Sequence, residues 1–86
     1  MHLEISGKVQ GVFFRAKAKE VATIHNISGW IRNTHNDTVE ALVTAAEKDL
    51  DAFISWCKRG PEKAKVQRVE STEKEFQTFE RFEVIR

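Results

Sequence analysis

Hydrophobic and polar residues alternate along the first nine positions of the chain. Leu3, Ile5, Gly7 and Val9 occupy one set of alternate positions, and polar or charged residues lie between them. A period of two residues is typical of a β-strand with one buried face. The pattern therefore predicts a first strand that ends shortly before Gly11.

The period of the pattern changes after Gly11. Apolar residues and one histidine then recur at helical spacing: Phe14, Ala18, Val21, Ala22 and His25. Residues spaced in this way form one stripe of a helix, so the pattern predicts an amphipathic helix.

The next segments predict a β-hairpin. Residues 27–33 are rich in β-branched and aromatic side chains, which favour a strand, and residues 38–43 resume the strand pattern. The tripeptide His-Asn-Asp at 35–37 is typical of a turn, because Asn and Asp tolerate positive φ.

The second half of the chain predicts one more helix and two more strands. Helical spacing relates Leu50, Phe53, Ile54 and Cys57, and Gly60-Pro61 ends that helix. A strand over 65–71, a polar loop over 72–78 and a short strand over 82–85 complete the chain.

The element order predicts the fold class. A β-α-β-β-α-β order with a short terminal strand is an α+β fold of the ferredoxin-like split βαβ type, with two helices on one face of an antiparallel sheet. In this topology the first and second strands are parallel, with the third between them. We therefore expect the 10–15 loop to face Arg32 and Asn33 across one sheet edge. The length of 86 residues predicts one domain over residues 1–86.

Composition narrows the function classes. A net charge of +1 argues against a nucleic-acid partner bound by bulk electrostatics. The single cysteine, Cys57, excludes an internal disulfide and fits a reducing compartment. The sequence has neither a signal-peptide pattern nor an apolar run approaching about 18 residues, so we expect a cytoplasmic protein without a membrane partner.

The strand-to-helix loop contains a candidate anion site. Gly11 permits a backbone turn in which successive N–H groups converge, and Arg15 lies in the first helical turn. A helix N-terminus is electropositive, and a guanidinium suits a phosphate. A lone glycine at such a junction is common, however, and a first-turn arginine is often only solvated. These features alone leave both interpretations open.

Two motifs carry a family resemblance. Residues Gly7–Arg15 read G-K-V-Q-G-V-F-F-R, which resembles the first signature of the acylphosphatase family, G-x-V-Q-G-V-x-F-R. Residues Gly29–Asn33 read G-W-I-R-N, which resembles the second. The resemblance spans nearly the whole chain. Asn36, Asp37 and Ala45 stand where the family usually has glycines, and we expect the hairpin turn to survive because Asn and Asp tolerate left-handed backbone.

The resemblance implies a reaction and a set of site residues. The reaction is hydrolysis of the carboxyl-phosphate anhydride of an acyl phosphate to carboxylate and inorganic phosphate, without metal or cofactor, by a usually monomeric enzyme. Inorganic phosphate is then product and inhibitor. Asn33 would orient the attacking water, and Arg15 would be the second catalytic residue. The implied phosphate-binding residues are Gln10, Gly11, Val12, Phe13, Phe14 and Arg15.

The residue types at this site suit a substrate whose leaving group departs without help from a general acid. The site contains no evident general acid, general base or nucleophile. The leaving carboxylate has a conjugate acid with a pKa near 4–5, so it departs without a proton. The transition state of phosphoryl transfer is loose, so positioning and electrostatic stabilisation can carry most of the catalysis.

Three other functions compete with this one. An RNA-recognition domain of this fold needs aromatic residues on its central strands, yet the chain has no tyrosine. A metallochaperone needs a Cys-x-x-Cys loop, which the sequence lacks. A third alternative is a domain of a larger carbamoyl-transfer maturation enzyme; a start at Met1 and an end on the last strand favour a free-standing protein. We expect structural roles for the three histidines, both tryptophans and Cys57.

Overall fold

The computed structural model describes residues 1–85, which form five strands and two helices. In chain order these are β1 (His2–Lys8), α1 (Phe14–Ile24), β2 (Ser28–Asn33), β3 (Val39–Thr44), α2 (Glu47–Arg59), β4 (Lys65–Thr72) and β5 (Phe82–Ile85). Each element that the hydrophobic pattern predicts is present, and its boundaries agree to within one residue where the pattern defined them. Arg86, the last residue of the predicted domain, lies outside the described residues.

The strands form one sheet in the order β4-β1-β3-β2-β5. Strand β3 is antiparallel to both β1 and β2, which therefore run parallel to each other, as predicted. Ile5 of β1 and Asn33 of β2 both lie opposite Val39. The pairing of β5 with β2 is parallel, so the sheet is mixed, whereas the sequence predicted an antiparallel sheet and no partner for β5. This pairing brings the end of β5 beside the end of β2.

The two helices cover one face of the sheet. The strand side of the core consists mainly of Leu3, Ile5, Ile31, Val39, Ala41 and Val43, all almost fully buried. The helix side consists of Phe14, Ala18, Ala22, Phe53 and Cys57. Trp56 joins the two helices, because its ring lies 5.1 Å from that of Phe14 and 6.4 Å from that of Phe53, measured between centroids. The first residue of α1 is thereby anchored in the core.

A β-bulge explains an irregular spacing in β4. Its two partly buried valines, Val66 and Val69, are three residues apart, whereas a regular strand brings every second residue to the same face. The register with β1 shifts between Ser6 and Gly7, which leaves Gln67 as an extra residue. The extra residue returns both valines to the face that the helices cover.

The β2–β3 hairpin forms without a glycine in its turn. Asp37 has φ of +62°, so it takes the left-handed conformation that an aspartate tolerates. The Thr34 side chain accepts a hydrogen bond from the Asn36 N–H at 3.2 Å, and the Thr34 N–H donates to the Thr38 carbonyl at 3.0 Å. The expectation that the turn survives is confirmed. Ala45, by contrast, has no positive φ and needs no glycine.

Gly29 is required by a close approach of two strands. A Cβ at this position would lie 1.9 Å from the Leu42 carbonyl oxygen, and Gly29 has φ of +140°. No side chain fits such a space. The glycine of the second motif therefore serves the packing of β2 against β3.

Both helices are short. α1 has 11 residues and α2 has 13. Within residues 1–85 no helix is long and apolar enough to cross a lipid bilayer.

Candidate active site

The β1–α1 loop, residues 9–13, turns the chain with two left-handed backbone positions. Gly11 has φ of +72° and Phe13 has φ of +64°, whereas Val12 between them has negative φ. Alternation of hand directs successive N–H groups toward one side, which makes a concave surface for an anion. For a bulky residue such as Phe13 this conformation costs on the order of 1–3 kcal/mol, a strain that is typical of functional sites. A Cβ on Gly11 would meet no atom within 4 Å, so backbone conformation rather than crowding favours glycine there.

The N–H groups of this loop find no acceptor within the described residues. Gly11, Val12 and Phe13 donate no hydrogen bond to the rest of residues 1–85, and the Lys17 N–H donates to the Phe13 carbonyl at 3.0 Å. Helix α1 has neither a side-chain N-cap nor an acidic residue in its first turn. Unpaired donors therefore lie at the positive end of the helix dipole, an arrangement that favours an anion.

Gln10 connects the loop to the β2–β3 hairpin. Its side-chain Nε2 donates to the carbonyl oxygens of Thr34 at 3.1 Å and Thr38 at 2.9 Å. The side chain of Gln10, one of the predicted phosphate-binding residues, thus lies along the hairpin rather than in the cavity described next. It holds the loop beside Asn33, which precedes Thr34.

Arg15 is the second residue of α1 and lies at the end of β5. Its Nη1 is 3.4 Å from the Ile85 carbonyl oxygen, a long contact that leaves most donors of the guanidinium without a partner in residues 1–85. Arg15 lines two adjoining cavities. It shares the larger one with Gly11 and Asn33, and the smaller one with Asn33, Arg32 and Ile85.

The larger cavity is lined by residues from both parts of the predicted site, which are the 10–15 loop and the end of β2. It has a volume of about 630 Å³ and is lined by Val9, Gly11, Phe13, Phe14, Arg15, Ala16, Lys19, Asn33 and Val84. Of the predicted binding residues, Gln10 and Val12 do not line it. Asn33 Oδ1 is a buried side-chain oxygen without a hydrogen-bond partner in the described chain. The structure thus brings Gly11, Arg15 and Asn33 around one cavity, as the strand order predicted.

The side chains of Val12 and Phe14 are not available to a ligand at the loop surface. Both side chains are buried, at 4% and 2% exposure, and belong to the core. Phe13 differs, because its ring is 74% exposed and lines the cavity. The loop is therefore held from below by two core side chains, which fixes the direction of its N–H groups.

Arg32 is engaged on the outer face of the sheet. Its guanidinium forms an ion pair with Glu40 and lies 5.0 Å from the centroid of the Trp30 ring. His2 Nε2 is 2.9 Å from the other oxygen of Glu40. The hydrogen bond with His2 lowers the pKa of Glu40 below its usual value, Arg32 lowers the pKa further, and burial opposes both. A carboxylate therefore offsets the charge of Arg32.

Sequence reasoning missed several residues that line these cavities, among them Lys19, Val84 and Ile85. Val84 and Ile85 enter through the parallel pairing of β5, for which the pattern gave no signal. Lys19 follows Arg15 by four residues, and residues so spaced share one helix face. That spacing was the available signal for Lys19.

The remaining reactive side chains lie outside the cavities. His2 contacts Glu40, His25 lies 3.5 Å from Asp49, and His35 is exposed in the hairpin turn. Cys57 is fully buried, and burial raises the pKa of its thiol to about 12. This burial agrees with the structural role expected for Cys57.

Fold and site together define a small α+β protein with a candidate anion-binding loop at the edge of a split βαβ sheet. The model of the acylphosphatase family matches residues 1–84. An acylphosphatase of Thiobacillus denitrificans is 40% identical over 83 residues, covering 94% of this chain and 93% of that protein. The chain belongs to the acylphosphatase family, whose activity is the hydrolysis of acyl phosphates.

Solved structures agree with this fold. An acylphosphatase from Coxiella burnetii superposes with a TM-score of 0.94 and 31% identity, covering 98% of this chain and 88% of that one. A full-length HypF in a phosphate- and nucleotide-bound form matches with a TM-score of 0.87 and 27% identity, covering 98% of this chain but 11% of that one.

Proposed function

We propose that this acylphosphatase binds the phosphoryl group of its substrate between the 11–15 backbone and Arg15, and that Asn33 orients the attacking water. The observation that carries the proposal is the shared cavity of Gly11, Arg15 and Asn33, in which one loop offers unpaired N–H groups. A phosphoryl group has three charged oxygens, and converging N–H groups with a guanidinium complement them.

Each part of the site has a task in this reaction. The N–H groups and Arg15 stabilise the charge that spreads over the phosphoryl oxygens in the loose transition state. Asn33 restricts the orientation of the water, so that the nucleophile approaches opposite the leaving carboxylate. That carboxylate departs as an anion and needs no general acid. The proposed chemistry is therefore complete with binding and positioning groups alone.

Further features of the proposal follow from the same chemistry. The product, inorganic phosphate, carries the group that the loop binds, so it competes with the substrate. We also propose that the protein acts as a monomeric single domain in the cytoplasm, with an acyl phosphate as its small-molecule partner.

The reaction class is tested with two matched substrates. Benzoyl phosphate has a carboxylate leaving group, and phenyl phosphate has a phenolate of much higher basicity. We expect hydrolysis of the first, none of the second, competitive inhibition by inorganic phosphate, and the same rate in the presence of a chelator. Hydrolysis of phenyl phosphate at a similar rate contradicts the proposal.

Replacement of Arg15 tests the phosphate-binding role. We expect Arg15→Ala to lower kcat/KM for benzoyl phosphate by about 10²–10³, because it removes a preorganised donor worth about 2.7–4 kcal/mol. The matched control is Arg68→Ala, which removes an exposed guanidinium paired with Glu70 on β4, away from the cavity. Near-normal turnover by Arg15→Ala, with the control unchanged, rejects the assignment.

A further inference from the structure

We infer that Lys19 makes this enzyme selective for acyl phosphates that carry a second anionic group on the acyl chain. The inference rests on the proposed function, since it takes the phosphoryl group to lie at Gly11 and Arg15. It concerns the part of the same cavity that lies along α1 beyond Arg15, where Ala16 and Lys19 are lining residues.

The position of Lys19 on α1 points to this role. Four residues of helix rise by about 6 Å, so Lys19 lies one turn beyond Arg15 on the same face. Both side chains line one cavity. A phosphoryl group bound at the helix N-terminus therefore leaves the acyl chain extending toward Lys19.

Apolar residues that line the cavity suit an acyl chain. The ring of Phe13 is 74% exposed, held outward by the left-handed backbone of the loop. Together with Ala16 and Val84 it gives part of the cavity an apolar lining. Such a lining accepts a hydrocarbon spacer, and an ammonium at its far end accepts a carboxylate or phosphate.

Lys19 differs from the nearby cations Lys17 and Arg32 because it has no ion-pair partner among the described residues. Within residues 1–85 Lys19 forms no ion pair, whereas Lys17 pairs with Glu20 at 3.5 Å and Arg32 pairs with Glu40. No carboxylate side chain lines the larger cavity. The charge of Lys19 is thus available to a ligand.

A pair of rigid substrates tests the inference. 4-Carboxybenzoyl phosphate and 4-carbamoylbenzoyl phosphate have nearly the same shape and differ by one negative charge at the far end of the ring. We expect the wild-type enzyme at low ionic strength to favour the charged substrate in kcat/KM. Lys19→Gln should lower that preference by about two- to fivefold, the contribution of an ion pair at an open surface. Lys19→Glu should lower it further.

Two controls separate the inference from other effects. Lys17→Gln removes the same charge from the same helix without touching the cavity, so it should leave the preference unchanged. Added salt should weaken the preference of the wild-type enzyme and not that of Lys19→Gln, because it screens exposed charges.

The outcomes are distinct. If neither benzoyl phosphate is hydrolysed, the proposed function fails. If both are hydrolysed but Lys19→Gln keeps the wild-type preference, or slows both substrates equally, the inference is overturned while the proposed function stands. Equal slowing would make Lys19 a ligand of the phosphoryl group.

Discussion

Asn33 combines two features that seldom occur together on one side chain. Its Oδ1 is buried without a hydrogen-bond partner among the described residues, yet the residue lines both cavities. An unpaired buried acceptor lowers the free energy of unfolding by about 1–3 kcal/mol. A fold tolerates such an acceptor where a bound ligand donates a hydrogen bond to it. A carboxamide offers both a donor and an acceptor, which a water molecule can use to fix its own orientation.

Two replacements of Asn33 separate orientation from charge. We expect Asn33→Ala to lower kcat by about 10²-fold with little change in the affinity for inorganic phosphate, because the water loses its orientation. Asn33→Asp should lower kcat and also weaken phosphate binding, because a carboxylate repels the anion. Steady-state kinetics and phosphate titration measure both. If Asn33→Ala weakens phosphate binding and keeps its turnover, Asn33 is a binding group instead.

At the scale of elements, Gln10 links the loop after β1 to the hairpin after β2. Its Nε2 bridges the carbonyls of Thr34 and Thr38, which lie on opposite sides of the hairpin turn. Thr38 also donates through its hydroxyl to Glu4 of β1 at 3.0 Å. The two elements that carry the proposed site are therefore held together by hydrogen bonds close to the cavity.

Loss of this link should loosen the site. We expect Gln10→Ala to lower the free energy of unfolding by about 1–3 kcal/mol, because the Thr34 carbonyl loses its donor and the Thr38 carbonyl keeps only the Thr34 N–H. It should also raise KM and lower kcat together, because the loop and Asn33 lose their relative position. Urea unfolding and steady-state kinetics test this, with Gln77→Ala as a control in an exposed loop. Unchanged kinetics in Gln10→Ala would show that the loop holds its position without the link.

The sequence predicted which segments form strands and helices better than it predicted which strands pair with each other. Periodicity located β1 and α1 because a period of two or of 3.6 is a local property. The pairing of β5 with β2, and with it the placement of Val84, depends on contacts between distant parts of the chain. The Gln10 link is equally non-local. The family signatures identified Arg15 and Asn33, whereas Lys19 lies outside both signatures and needed the cavity to be recognised.

At the scale of the whole molecule, the rate at which a reagent modifies Cys57 measures unfolding. Its thiol is fully buried between α2 and the sheet, and burial raises its pKa to about 12. Thiol reagents attack the thiolate, so the native protein offers them neither access nor a nucleophile at neutral pH. Modification of Cys57 therefore requires the helix layer to separate from the sheet.

This gives a test that links stability to the proposed ligand. We expect labelling of Cys57 by a thiol reagent to accelerate with urea in parallel with the loss of tryptophan fluorescence. At a low reagent concentration, inorganic phosphate at ten times its Kd should slow labelling about tenfold, because it binds the folded state only. The cavity does not contact Cys57, so direct shielding is not the cause. Labelling that is fast in the absence of urea would indicate local opening of α2 instead.

The strand order has a consequence for how the chain could be divided. β1 and β2 precede the β2–β3 hairpin turn, and β3, β4 and β5 follow it, yet every pair of neighbours in the sheet joins one side of that turn to the other. A cut in the hairpin turn would leave two pieces, neither of which retains a single native strand pair. Arg15 and Asn33 would stay on the same piece, without the strand that separates and aligns them. Such fragments would recover a site only by association, so their activity would grow with the product of two concentrations.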